Sequence, residues 1–258
     1  MMTNPKRTVL ITGAGSGLGR GLSICLAQAG HLILATDLHL EGARETVAQI
    51  EAAGGTAVAH MLDVASEEDI NRFLTDIGQH RIDTLINNAG LQHVARLEEF
   101  SATKWDLLID VMVKGAFLMT RAVLPRMRGQ NFGRIIHIGS IHSLVASPYK
   151  SAYVAAKHAL LGFSKVVALE TAAVDITVNT ICPAYIRTAL VEGQIKDQAR
   201  TRNMSEDEVI HRVMLQPMPK NAFITCEEVA AAVEYLMGPW SRNVTGQTIT
   251  IDGGWTAQ

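Results

Sequence analysis

The stretch "TVLITGAGSGLG", Thr8 to Gly19, sets a β-branched apolar run against a glycine-rich turn and then opens a helical pattern. A strand, such a turn and a helix in immediate succession form the first unit of a dinucleotide-binding sheet. The glycines let the backbone approach a pyrophosphate, and the helix amino terminus supplies N–H groups and partial positive charge. The spacing is Gly-x-x-x-Gly-x-Gly on Gly13, Gly17 and Gly19; Leu18 stands where the commoner Gly-x-Gly-x-x-Gly carries its last glycine. Taken alone, the same turn could be no more than a tight connection.

Similar apolar runs recur along the chain: "HLILATD" from His31, "TAVAHML" from Thr56, "DTLIN" from Asp83, "RIIHIGS" from Arg134, "DITVNTIC" from Asp175 and "QTITIDG" from Gln247. Seven strands alternating with helical patterns predict an α/β fold, a doubly wound, seven-stranded parallel sheet with helices on both faces. Ser66 with Asp69, Ser205 with Glu208 and Thr225 with Glu228 stand at capping-box spacing and mark helix starts. No repeat or linker marks a second domain, so residues 1–258 read as one unit. Residues 188–223 form a charged insertion with Pro217 and Pro219, expected to act as a helical substrate lid.

With 258 residues, 48% of them hydrophobic, the chain can bury a full core. A formal charge of -2 argues against nucleic acid or an anionic membrane as partner and favours a small molecule. The apolar run near the amino end is too short for a signal peptide and no run of about 18 apolar residues occurs, so a soluble, unprocessed protein is expected. Cys25, Cys182 and Cys226 form no Cys-x-x-Cys pair, which fits a reducing cytoplasm. The nine histidines lack metal-ligand spacing, so no catalytic metal is expected.

Asp37 ends the second strand, where a carboxylate can accept both hydroxyls of an adenosine ribose and repel a 2'-phosphate. Neither Ser16 nor Leu38 offers a basic group to neutralise such a phosphate, so the expected cofactor is NAD rather than NADP. Asp63 with Val64 after the third strand, and "NNAG" (Asn87 to Gly90, including Ala89) after the fourth, fall on the same crevice.

"SPYKSAYVAAKH", Ser147 to His158, places Tyr153 and Lys157 four apart on one helical face. An ammonium about 5 Å from a phenolate, at an effective dielectric of about 20, is worth about 3.3 kcal/mol, so Lys157 is expected to lower the Tyr153 pKa. Together with the glycine spacing, "NNAG" and a serine after the fifth strand, this Tyr-x-x-x-Lys resembles the short-chain dehydrogenase/reductase family over nearly the whole chain. The resemblance implies a Rossmann fold with Ser140, Tyr153 and Lys157 as catalytic residues. It implies cofactor contacts from Ser16, Leu18, Tyr153, Lys157, Pro183, Ile186 and Thr188 as well.

Within that family, "NNAGLQH", "SIHSLVASPYKSAYVAAKH", "ICPAYIRTALVEGQI" and "DGGWTAQ" resemble the branch that oxidises D-3-hydroxybutyrate to acetoacetate. That likeness implies that Gln92, His142, Lys150 and Gln194 bind the substrate carboxylate, that Ser140 and Tyr153 meet its alcohol, and that Trp255 borders its apolar end. Charged and amide donors suit a desolvated carboxylate. The helix 154–172 is apolar on more than one face and calls for a partner subunit; the resemblance implies a homotetramer. Met112 departs from the family pattern, standing where an asparagine helps to hold a water that links the lysine to solvent. Part of that work falls to the backbone of a locally distorted helix, so Met112 is expected to leave the enzyme active. Ala184 replaces a glycine after Pro183. Two other readings stay open: a dehydrogenase for another small hydroxy acid or ketone, and a catalytically weak dinucleotide-binding regulator.

Overall fold

The computed structural model describes residues 5–257, and each of the seven apolar runs is a strand. In chain order the elements are β1 (Thr8–Thr12), α1 (Gly17–Gln28), β2 (Leu32–Asp37), α2 (Leu40–Ala52), β3 (Thr56–Met61), α3 (Glu67–Asp76), β4 (Thr84–Asn87), α4 (Ala102–Ile109), α5 (Gly115–Gly129), β5 (Gly133–Ile138), α6 (Ser151–Glu170), β6 (Ile176–Pro183), α7 (Ala189–Arg202), α8 (Glu206–Glu208), α9 (Cys226–Met237) and β7 (Thr248–Ile251). One sheet holds all seven strands in the order β3-β2-β1-β4-β5-β6-β7, every neighbour parallel.

Val9, Leu10 and Ile11 of β1 are all fully buried, as a sheet covered on both faces requires. Successive side chains on a strand point to opposite faces. Val9 and Ile11 therefore pack with Leu22 and Leu26 of α1 and Val233 of α9, whereas Leu10 packs with Leu34, Leu85 and Met119 of α5. Strand order reverses between β1 and β4, which opens a crevice at their carboxyl ends.

The helix starts follow their caps. Ser205 with Glu208 and Thr225 with Glu228 exchange reciprocal side-chain to backbone bonds, and Ser66 Oγ accepts from Asp69 N at 3.2 Å. The α1 start is different: Ser16 makes no side-chain cap bond and the first turn carries no acid, so its N–H groups remain free for a ligand.

Two π-helical segments interrupt the regular helices. Asp110–Lys114 joins α4 to α5, and Val209–Leu215 continues α8. The insertion 188–223 is helical, and its two ends are pinned together where Ile186 pairs with Ile224 in a parallel bridge. Helix α6 alone among the described helices is long and apolar enough to cross a membrane, by length and composition only. It packs against β6, with Ser164 Oγ 2.7 Å from Thr180 Oγ1.

Candidate active site

The carboxyl ends of the central strands open into a cleft of about 610 Å³. Gly13, Ser16, Gly17, Leu18 and Gly19 line one end. A Cβ on Gly19 would lie 2.1 Å from Gly13 O, and Gly13 itself has φ +64°, so glycine is required at both. Asp37 reaches the cleft edge with Oδ2 accepting from Gly15 N and Oδ1 from His39 N, each at 2.9 Å. Asp63, Val64, Ala89, Gly90, Pro183, Ile186 and Thr188 line the same cleft.

Asn87 does not line it. The strand alternation that brings Asn88 to the cleft turns Asn87 to the opposite face, where Nδ2 donates to Thr120 Oγ1 at 3.2 Å and lies 3.1 Å from His137 Nδ1. Asn88 occupies the cofactor end instead, donating from Nδ2 to Thr12 O and Gly13 O at 2.9 and 3.1 Å. Strand periodicity could have separated the two asparagines; the motif alone did not.

Ser140, Tyr153 and Lys157 meet midway along the cleft. Ser140 caps the short turn Ile141–Ser143, its Oγ accepting from His142 N at 3.1 Å and lying 3.4 Å from His142 Nδ1. Lys157 Nζ donates to Ile138 O at 2.7 Å and lies 5.6 Å from the centre of the Tyr153 ring. Burial pushes the Tyr153 pKa up, opposed by a hydrogen bond with Ser140. The same burial brings Lys157 down to about 8. This corrects the expectation from Coulomb attraction alone, because moving a phenolate out of water costs free energy that the sequence argument left out. Tyr153 keeps part of its surface open to the cleft, but its hydroxyl sits within dense protein.

Beyond Tyr153 the cleft ends at a buried cation. Lys150 is 1% exposed, and its Nζ donates to Tyr185 Oη at 3.2 Å and Gln194 Oε1 at 3.1 Å. Both partners are neutral, and Lys150 makes no ion pair among the described residues. Desolvation, with Arg202 adding to it, lowers its pKa to about 7. His142 lines the wall beside it, Nε2 2.7 Å from Ser147 Oγ, held neutral by burial with a pKa of about 3.

Trp255 and Gln92 stand behind this wall rather than in it. Trp255 stacks on Tyr185 with ring centres 6.0 Å apart and meets His142 edge-on at 6.0 Å. Gln92 Oε1 accepts from His93 N at 3.1 Å, while its Nε2 is buried without a partner. Tyr185 was missed by sequence reasoning although it lines the cleft and holds Lys150; its position in the quoted "ICPAYIRT" segment was the available signal. Cys182 was missed too, and lies fully buried beneath Ser140 and Ser143, where burial raises its thiol pKa.

A sequence model of short chain dehydrogenases matches residues 7–199. The chain belongs to the short-chain dehydrogenase family. A D-beta-hydroxybutyrate dehydrogenase of Rhizobium meliloti is 44% identical over 98% of this chain and 99% of its own. One of Cupriavidus necator is 40% identical over 98% of each. Among solved structures, one described as an NAD(P)-dependent gluconate 5-dehydrogenase from Beutenbergia cavernae, with bound NADP, superimposes with a TM-score of 0.87 at 30% identity, covering 98% of this chain and 97% of that one. As a short-chain dehydrogenase the protein is an oxidoreductase. The family implies a nicotinamide dinucleotide, and the residues present fit one: an uncapped helix start, a glycine turn with no room for side chains, and a carboxylate at the cleft edge.

Proposed function

We propose that this short-chain dehydrogenase interconverts D-3-hydroxybutyrate and acetoacetate with NAD. The observation that carries the substrate reading is Lys150: a buried ammonium with only neutral partners, on the cleft wall beyond Ser140 and Tyr153. Such a cation is costly unless an anion completes it, and a short carboxylate reaching past the alcohol carbon would do so. Gln194 and the neutral His142 flank that position, and Tyr185, backed by the stacked Trp255 ring, supplies an apolar wall for a small alkyl end.

The dinucleotide would be held by the turn Gly13 to Gly19, by Asp37 at the ribose hydroxyls, by Asp63 and Val64 at the base, and by Ala89, Gly90, Pro183, Ile186 and Thr188 along the cleft. When bound, the nicotinamide supplies the hydride acceptor. Tyr153 takes the alcohol proton, Ser140 donates its O–H to the substrate oxygen, and Lys157 holds the cofactor ribose and stabilises the phenolate. Asp37 favours NAD because its charge repels a 2'-phosphate. The insertion 188–223 acts as the lid, since Gln194 reaches Lys150 from α7. Phe117 on α5 and Val166 and Leu169 on α6 expose apolar surface that fits the subunit contacts of a homotetramer. Three unpaired cysteines fit the cytoplasm.

The test is NADH formation from a panel of small hydroxy acids and alcohols, both enantiomers included. D-3-hydroxybutyrate should give the highest kcat/KM. A faster reaction with a sugar acid or an uncharged alcohol would move the assignment to another small-molecule dehydrogenase, and no turnover with any member would favour a regulator.

A further inference from the structure

Tyr149 has a backbone that few aromatic residues adopt, with φ +72°. A bulky side chain in the left-handed region is an outlier that persists only where its surroundings hold it, and such residues gather at functional sites. Two contacts hold this one. The Tyr149 carbonyl accepts from Ala95 N at 3.0 Å, which ties it to the loop after β4. Its ring lies against Arg202, whose guanidinium carbon is 5.2 Å from the ring centre. Arg202 makes no ion pair among the described residues, so the ring is the partner of its charge. The next residue, Lys150, is turned inward to the acid end of the cleft.

Helix α7 meets Tyr149 and Lys150 with a single face. Gln194, Gln198 and Arg202 stand four apart and project together. At one end of this row Gln194 Oε1 accepts from Lys150 Nζ at 3.1 Å, and at the other Arg202 meets the Tyr149 ring. Between them Gln198 is fully buried, and its Oε1 accepts from Arg202 Nε at 3.2 Å, which fixes the direction of the guanidinium. The row spans about 12 Å along the helix, so two residues adjacent in the chain must point well apart to reach its two ends. The left-handed turn at Tyr149 allows that.

We propose that Tyr149 is a positioning residue for the acid end of the substrate: its ring seats Arg202, and with it the row of α7 that brings Gln194 to Lys150. The inference rests on Lys150 as the partner of a substrate carboxylate. Tyr149 does not line the cleft and acts through α7 alone. Arg202 is half-buried, so releasing it from the ring returns its charge to water rather than stranding it in the protein. The contact can therefore open when substrate leaves and place α7 again when it enters.

A double-mutant cycle read in KM tests this. Tyr149→Leu keeps an apolar side chain without the aromatic face. It should raise KM for D-3-hydroxybutyrate about threefold to thirtyfold, the range a cation–π contact is worth, while kcat and KM for NAD stay close to their original values. Tyr149→Phe keeps the ring and should retain the original KM. Arg202→Met also removes a positive charge that disfavours the Lys150 ammonium, so the pair is informative where the single variant is not. In the Arg202→Met background Tyr149→Leu should raise KM by less than about twofold. An equal rise in both backgrounds, or a Tyr149→Phe protein as impaired as Tyr149→Leu, would overturn the proposal and leave Tyr149 a residue of the fold. Should Tyr149→Leu fail to fold, Tyr149→Asn takes its place in the cycle, because asparagine tolerates the left-handed backbone. An unaltered protein that oxidises no hydroxy acid would overturn the substrate reading and this inference with it, whereas a working enzyme without coupling in the cycle would overturn the inference alone.

Discussion

In the proposed reading Asp37 joins the glycine turn to cofactor choice, because its carboxylate, held at the cleft edge by Gly15 N and His39 N, would repel a 2'-phosphate. NAD should therefore be used far better than NADP. Asp37→Ala should cost NAD about tenfold to a hundredfold in kcat/KM, the worth of a charge-assisted bond, while NADP improves. Steady-state kinetics with both cofactors checks this, and equal efficiencies in the unaltered protein would contradict it. Asp37, Tyr153 and Lys157 were legible in the sequence because fixed spacing fixes their side of an element. Asn87 and Asn88 were not separated, since a motif gives residue types without giving the face each one takes. The direction of the Tyr153 shift was not legible either: charge can be read from letters, but desolvation depends on the packing of atoms distant in the chain.

Strands and helix starts were legible for local reasons. Each β-branched run became a strand, and the pairs Ser66 with Asp69, Ser205 with Glu208 and Thr225 with Glu228 became amino-terminal caps. Thr225→Ala should thus cost about 1 kcal/mol of unfolding free energy with kinetics unchanged, measured by urea denaturation; a loss within error would show that α9 is fixed by packing alone. The π segments at Asp110–Lys114 and Val209–Leu215 left no mark in the apolar periodicity, because one extra residue in a turn reflects how neighbouring elements compete for the backbone. The insertion carrying α7 was visible as a departure from the pattern, but its role depends on contacts: Gln194 with Lys150, and Arg202 over the Tyr149 ring at 5.2 Å. Trypsin should cut after Arg200 or Arg202 more slowly when NAD and acetoacetate are present. Equal cutting rates would remove the lid role from this segment.

Taken together, the buried groups give the molecule a pH dependence with a definite sign. His137 and His142 are held neutral with pKa values of about 3 against 6.5 in an unfolded chain. The unfolded state therefore binds more protons between those values, and stability is lost as pH falls below about 6.5. Lys150, lowered from 10.5 to about 7, adds a rise in stability as pH increases across that interval. The melting temperature should climb from pH 5 to pH 9, and Lys150→Met should flatten the upper part; a maximum at pH 5 would contradict this balance. Lys157, lowered to about 8, acts in the same direction, and the other of these two buried cations, Lys150, is the one assigned to the substrate. A comparison of kcat/KM for D-3-hydroxybutyrate and its methyl ester, in the unaltered protein and in Lys150→Met, joins the two. The acid should be strongly preferred by the unaltered protein, and the preference should largely disappear in the variant, mainly through KM for the acid. An ester oxidised as well as the acid by the unaltered protein would contradict the assignment of Lys150 to a substrate carboxylate.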